Sequence, residues 1–283
     1  MNTVLLIATG SIVLAGYRVW ILRKKNINPV KALGLGMDRR SFINLIVGII
    51  ICMSAITVIF LVEWGTGLIS VTGVNAPTAL IDDLFSFVMV AIIEELIFRC
   101  GILGGLMPLL RSPAIAIIVS AVIFGVVHAG NANATVLSVI STTVGGLMYG
   151  IAYAGTERIW LPFGMHFGWN YAQGRLFGFS LSGGPVAHPP FIQQRVNGPA
   201  LLTGGAYGPE GGIIGLSARF LVIALVAVWL SYSCRDKGTG TPVSSNGEHA
   251  VNVFPDPKHP NSTESVSEKD GNSAGSCFQV PSQ

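Results

Sequence analysis

The chain has 283 residues, 51% of them hydrophobic and only 11% charged, with a mean hydropathy of +0.61. Soluble domains carry about 25% charged residues, so this composition excludes a large soluble core and fits a polytopic membrane protein. The net charge of +3 is small and much of it lies near the ends of the chain, which excludes nucleic acid as a partner and makes the cations markers of topology.

Residues 3–22 are an apolar run long enough to cross a bilayer. Arg23, Lys24 and Lys25 come after the run rather than before it, so it reads as a retained span and not as a cleaved signal. Lys31, Arg39 and Arg40 continue the basic stretch against the single acid Asp38. The positive-inside rule puts that loop in the cytoplasm and the N-terminus outside. Further spans are expected at 41–62, 80–104, 114–132, 134–154, 158–178 and 212–233. The short connections at Arg111 and Arg158 suit the inner face. The connection at 63–79, with Glu63 and no Lys or Arg, suits the outer face. Residues 179–211 are rich in Gly and Pro and read as a loop outside or folded back at the surface. The polar composition of the C-terminal stretch cannot bury a core.

The expected fold is therefore all-α: a polytopic transmembrane helical bundle of about seven spans with a disordered C-terminal tail. Its parts are an N-terminal pair of spans with a basic loop (1–79), a core domain (80–234) and the polar tail (235–283). An odd number of spans leaves the C-terminus cytoplasmic, where Arg235 and Lys237 agree with it. The cysteines Cys52, Cys100, Cys234 and Cys277 have no paired or metal spacing and read as small apolar fillers.

Ionisable groups within spans cost about 3 kcal/mol each at a helix centre and mark function by default. Three spans carry them. In AIIEELIFRCG, Arg99 lies one turn from Glu95 and pairs with it, while Glu94 points about 100° away and is left to face a cavity. In FGVVH, Phe124 and His128 share a helix face, and in HFGWN so do His166 and Asn170. An imidazole and a carboxamide one turn apart offer two donors to one point, which is what an oxyanion needs. Each group alone also has a structural reading, as an ion pair, a satisfied core histidine or an interhelical hydrogen bond. Together they point to a site at their convergence.

The sequences EELIFR, FGVVH and HFGWN, in this order and on three successive polar spans, resemble the E-E-x-x-x-R, F-x-x-x-H and H-x-x-x-N motifs of the CAAX-processing and bacteriocin-processing (CPBP, Abi) intramembrane endopeptidases. The resemblance covers about residues 80–215, and the late segment NGPALLTGGAYGPEGG is similar to bacterial members. It implies a membrane-embedded cavity in which Glu94 activates water with His128 helping to hold it. It further implies that His166 and Asn170 stabilise the oxyanion, that Glu95 and Arg99 position the first group, and that Phe124 packs beside the site. The implied partners are membrane lipid and a peptide or lipidated protein substrate, prenylated CAAX-type or bacteriocin-like.

Two cofactor readings fit these residues. Members were first classed as metalloproteases, and Glu94, His128 and His166 make a two-His, one-carboxylate zinc set with water in the fourth position. The chain lacks H-E-x-x-H, and a glutamate-activated water needs no ion. The competing function classes are a proton-coupled transporter and a non-catalytic immunity or scaffold protein. Short apolar loops suit a bacterial inner membrane.

Overall fold

The computed structural model describes residues 3–185 and 188–238. It is mostly helical. The helices are α1 (Thr3–Arg23), α2 (Pro29–Ala32), α3 (Arg39–Gly65), α4 (Leu84–Glu95), α5 (Gly104–Leu110), α6 (Pro113–His128), α7 (Val136–Thr156), α8 (Trp160–Asn170), α9 (Ala200–Thr203) and α10 (Ile213–Gly238). Two π-helical segments, Leu96–Leu103 and Tyr171–Leu176, continue α4 and α8 without a break in the chain's helical path. Residues Met1–Val226 form one compact unit. The second unit begins at Ala227 and is described to residue 238, where Ser231 donates to the Ala227 carbonyl (2.9 Å) and Trp229 stacks on Tyr232. The expected disordered tail falls beyond, from residue 239, outside the described residues.

Helices stand at all seven positions where spans are expected. By length and composition three of them, Arg39–Gly65, Val136–Thr156 and Ile213–Ser233, are able to cross a membrane, and Pro113–His128 is apolar but shorter. Two expected spans differ from simple helices. The 80–104 stretch is a 3-10 turn (Pro77–Leu80), then α4, then π-helix, and the 158–178 stretch is α8 followed by π-helix. The division at GNANAT is a real helix boundary. Thr135 caps α7 through a reciprocal pair of hydrogen bonds with Ser138, which satisfies amides that the first turn leaves without helical partners. At the start of α6, Ser112 caps Ile115 and Pro113 occupies the first turn, where a missing N–H costs nothing.

The all-α expectation misses a small antiparallel sheet of β1 (Ile69–Val74) and β2 (Ile192–Val196), with Ile69 opposite Val196, Val74 opposite Ile192 and an irregularity between Val71 and Gly73. The β-branched run ISVTGV is too short for a helix and pairs with a segment more than a hundred residues away. Glu63 also departs from expectation. It lies inside α3, which continues to Gly65, and it is fully buried rather than part of a loop.

The helix that carries His166 and Asn170, α8, is packed closely on α3. A Cβ on Gly168 of α8 would stand 2.8 Å from the Ile49 carbonyl of α3, and one on Gly48 would stand 2.5 Å from the Leu161 carbonyl. Only glycine permits this approach, and it fixes α8 against α3 by backbone contact. The loop before α3 meets the loop before α8 as well. Arg158 pairs with Asp38 (2.7 Å) and donates to Ser41 (2.7 Å), while the Trp160 indole donates to the Gly36 carbonyl (2.9 Å). Burial works to raise the Asp38 carboxyl, but hydrogen bonds from the Ser41 amide and hydroxyl and from Arg158 outweigh it and hold its pKa below the ordinary value.

Candidate active site

Glu94 and Glu95 occupy the last turn of α4, immediately before the wider π segment that carries Arg99. The two carboxylates face different surroundings, as helical rotation requires. Glu95 is fully buried. Its Oε2 lies 3.2 Å from Arg99 Nε, and its Oε1 lies 2.9 Å from Nδ1 of His166. Arg99 is 1% exposed, and its guanidinium sits over the rings of Phe124 (4.7 Å) and Tyr149 (5.0 Å). The expected Glu95–Arg99 pair is therefore present, and Glu95 is also the direct partner of an imidazole on α8.

Glu94 is more open, with 27% of its side chain exposed. Its Oε2 is 3.9 Å from Nε2 of His128 and 3.9 Å from Nε2 of His166. Both imidazoles have their other nitrogen committed. His128 Nδ1 is 2.7 Å from the Phe124 carbonyl, which only accepts, so that nitrogen carries the proton. His166 Nδ1 likewise donates to the Glu95 carboxylate. In each ring it is Nε2 that turns toward Glu94. A gap of 3.9 Å is too long for a direct hydrogen bond and suits a bridging water, since two bonds of about 2.8 Å span it at a bent angle.

The surrounding aromatics hold the imidazoles. Phe124 packs on His128 (ring centroids 4.5 Å) and stands edge-on to His166 (6.4 Å). Tyr149 of α7 stacks on His166 at 5.0 Å with only 12° between the planes. Asn170, one turn beyond His166, is 8% exposed.

The structure thus brings Glu94, Glu95, Arg99, Phe124, His128 and His166 into one cluster and sets Asn170 a turn away on the same helix. Tyr149 was not anticipated. Its only signal is an aromatic residue within the small-residue run GGLMYG, on a helix without charge. As a zinc set, Glu94, His128 and His166 offer the right atoms. The donors are nevertheless spaced more widely than in a closed tetrahedral site, where bonds of about 2.1 Å put donors about 3.4 Å apart. Among the described residues no group of three or more His, Cys, Asp or Glu is arranged to hold a metal ion.

Residues 76–172 match the family model described as type II CAAX prenyl endopeptidase Rce1-like. The match contains all three polar motifs, and over this segment the family recognised from those motifs is the one shown. No curated protein and no solved structure matches the chain.

Proposed function

We propose that the protein is an intramembrane endopeptidase that hydrolyses a peptide bond in a membrane-associated, CAAX-type or bacteriocin-like substrate. One observation carries the reading: Glu94 Oε2 stands at 3.9 Å from the Nε2 atoms of both imidazoles, a geometry that holds one water against a base. Glu94 takes a proton from that water as its oxygen attacks the scissile carbonyl carbon, and His128 Nε2 accepts the water's second hydrogen bond. The carbonyl oxygen becomes an oxyanion. The Asn170 amide and the Nε2 edge of the His166 ring face it, and the Glu95 carboxylate holds that ring from its opposite side. Glu94 then returns the proton to the leaving amine as the C–N bond breaks. Arg99 holds Glu95 in place, and Phe124 and Tyr149 fix the ring planes. Zinc bound by Glu94, His128 and His166 would acidify the same water. The wide donor spacing supports the metal-free route.

The same reading makes the protein an integral membrane protease with seven crossings, its N-terminus outside and its C-terminus cytoplasmic, in a bacterial inner membrane. Two contacts support the sidedness. The basic loop before α3 meets the short loop before α8 through Asp38 and Arg158, and the stretches 63–79 and 179–211 meet through β1 and β2. Loops assigned to the same side touch each other. The domain division at residues 79 and 234 belongs to this reading too.

The test is cleavage of prenylated and unmodified peptides by the purified protein in detergent, with wild type and Glu94→Gln compared with and without a chelator. Cleavage by wild type alone establishes the role of Glu94. Loss with chelator and recovery with zinc moves the water onto a metal. Absence of cleavage by folded wild type turns the reading toward a proton-coupled transporter or a scaffold, and the same variant then distinguishes them by proton flux.

A further inference from the structure

A second buried ion pair, Glu210–Arg219, lies beyond the residues matched by the family model. Glu210 and Arg219 are 3% exposed each, and Glu210 Oε2 accepts from Arg219 Nη2 at 3.0 Å. The other oxygen of Glu210 accepts from both the amide (2.6 Å) and the hydroxyl (2.7 Å) of Ser182. Arg219 Nη1 donates to Ser141 of α7 (3.1 Å), and the guanidinium lies over the Trp169 ring of α8 at 5.0 Å. Gly145 makes room for it, since a Cβ there would stand 3.1 Å from the Arg219 Cζ atom.

Each of these contacts leads to an imidazole. Trp169 is almost fully buried and lies between His166 and Asn170 on one short helix. Gly145 lies one turn before Tyr149, the ring stacked on His166. On the other side, the turn held by Glu210 is tied through the Gly183 carbonyl to Asn133 (2.9 Å), in the loop that leaves His128. An ion pair this deeply buried costs more than a well-packed apolar pair, so stability alone is a poor account of its presence.

We propose that Glu210 and Arg219 are positioning residues for the reaction assigned above, a clamp that sets His166 and His128 at equal distance from Glu94. The inference rests on the peptidase reading, and it makes residues near the C-terminal end of the bundle part of the control of turnover.

The test compares Glu210→Gln, the milder Ser141→Ala and the neutral double variant Glu210→Gln/Arg219→Gln with wild type. Two measurements are made: steady-state cleavage, and the imidazole nitrogen spectrum of histidine-labelled protein in detergent, with His166 assigned from the signal missing in His166→Gln. The expected result is a kcat lower by about tenfold or more with KM changed less than about twofold, because misplacement of a reacting group costs turnover rather than binding. The His166 signal moves in both single variants. The double variant recovers part of the loss, since it leaves no uncompensated charge. Unchanged kcat with an unmoved His166 signal overturns the proposal, and so does an activity loss that only tracks the loss of folded protein. If Glu210→Gln does not fold, Ser141→Ala decides by the same two criteria. If wild type cleaves no peptide, the peptidase reading fails, and the clamp stands or falls on the imidazole signal alone.

Discussion

The adjacent glutamates should respond in opposite ways to the same substitution. Glu95→Gln removes a fully buried charge that is shared between Arg99 and His166. The Arg99 guanidinium, 1% exposed and with no other acidic partner within ion-pairing distance among the described residues, then keeps only the faces of Phe124 and Tyr149. Breaking a buried pair from one side costs about 3–5 kcal/mol. Cation–π contact recovers no more than about 2 kcal/mol and is already present in the wild type, so it offsets none of the loss. For a chain of this size each kcal/mol shifts the unfolding midpoint by about 2–4 °C, so the apparent midpoint in detergent should fall by roughly 10 °C. Glu94→Gln changes a carboxylate that is 27% exposed and whose Oε2 has no hydrogen-bond partner. Its midpoint should stay at or above that of wild type, while cleavage falls by about 10³-fold or more as the general base is lost. Differential scanning fluorimetry and peptide cleavage on the same preparations read both quantities. A Glu95→Gln protein as stable as wild type, or a Glu94→Gln protein that cleaves, would refute the division of labour between the two carboxylates.

The geometry sets three other outcomes. Asn170→Ala and His166→Ala should each lower kcat by about 10²-fold or more with little change in KM, as expected for donors used in the transition state; steady-state kinetics on a cleaved peptide checks this. Gly168→Ala places a Cβ 2.8 Å from the Ile49 carbonyl, a backbone atom with little room to move, and should destabilise the α3–α8 contact by about 1–3 kcal/mol, seen as a lower unfolding midpoint. Asp38→Asn keeps an N-cap but loses the charge that pairs with Arg158. The folded carboxyl titrates below its ordinary value of 3.8, so its contribution is present at neutral pH and is lost as pH falls through the folded value. Wild type should therefore unfold at a slightly higher temperature than Asp38→Asn at pH 7, and the two midpoints should converge below pH 3.8; midpoints measured across pH check the sign.

Much of the candidate site was legible because the cost of ionisable groups in an apolar bundle makes each one conspicuous. Helical rotation alone separates Glu94 from Glu95 and pairs Glu95 with Arg99, and the structure has that pair. Rotation within one helix gives no information about partners on another, so the Glu95–His166 contact was not legible, nor was the stacking of Tyr149. Glu210 and Arg219 were missed for a different reason. They flank the start of α10 in a region read as loop and span, and their pairing only appears once that loop folds back against α7 and α8. Two opposite charges nine residues apart in an otherwise apolar stretch were the available signal. The β1–β2 sheet depends on a pairing across more than a hundred residues, which no local periodicity encodes.

The π segments begin immediately beside residues that a straight-helix reading puts at different depths. On regular helices, Glu94 falls mid-span, His128 toward the outer end and His166 toward the inner end. In the structure α4 stops being α-helical at Glu95, inside the first polar motif, and α8 at Asn170, at the end of the third, each continued by a wider turn. A π turn inserts residues without ending the helix and shifts the side-chain register of the residues beyond it. Arg99 is thereby carried on the widened turn after α4 and still meets Glu95. Widening also changes which carbonyls are satisfied within the helix, and Arg18 of α1 donates to the Gly104 carbonyl at the end of the first π segment (3.2 Å). Non-α backbone at membrane depth is tolerated only where protein or a polar cavity surrounds it. Both segments meet that condition, since Arg99 and Arg175 within them are buried and paired with Glu95 and Asp83. A lipid-facing position would not sustain either irregular stretch, and the motif residues beside them, Glu95 and His166, are buried in protein as well.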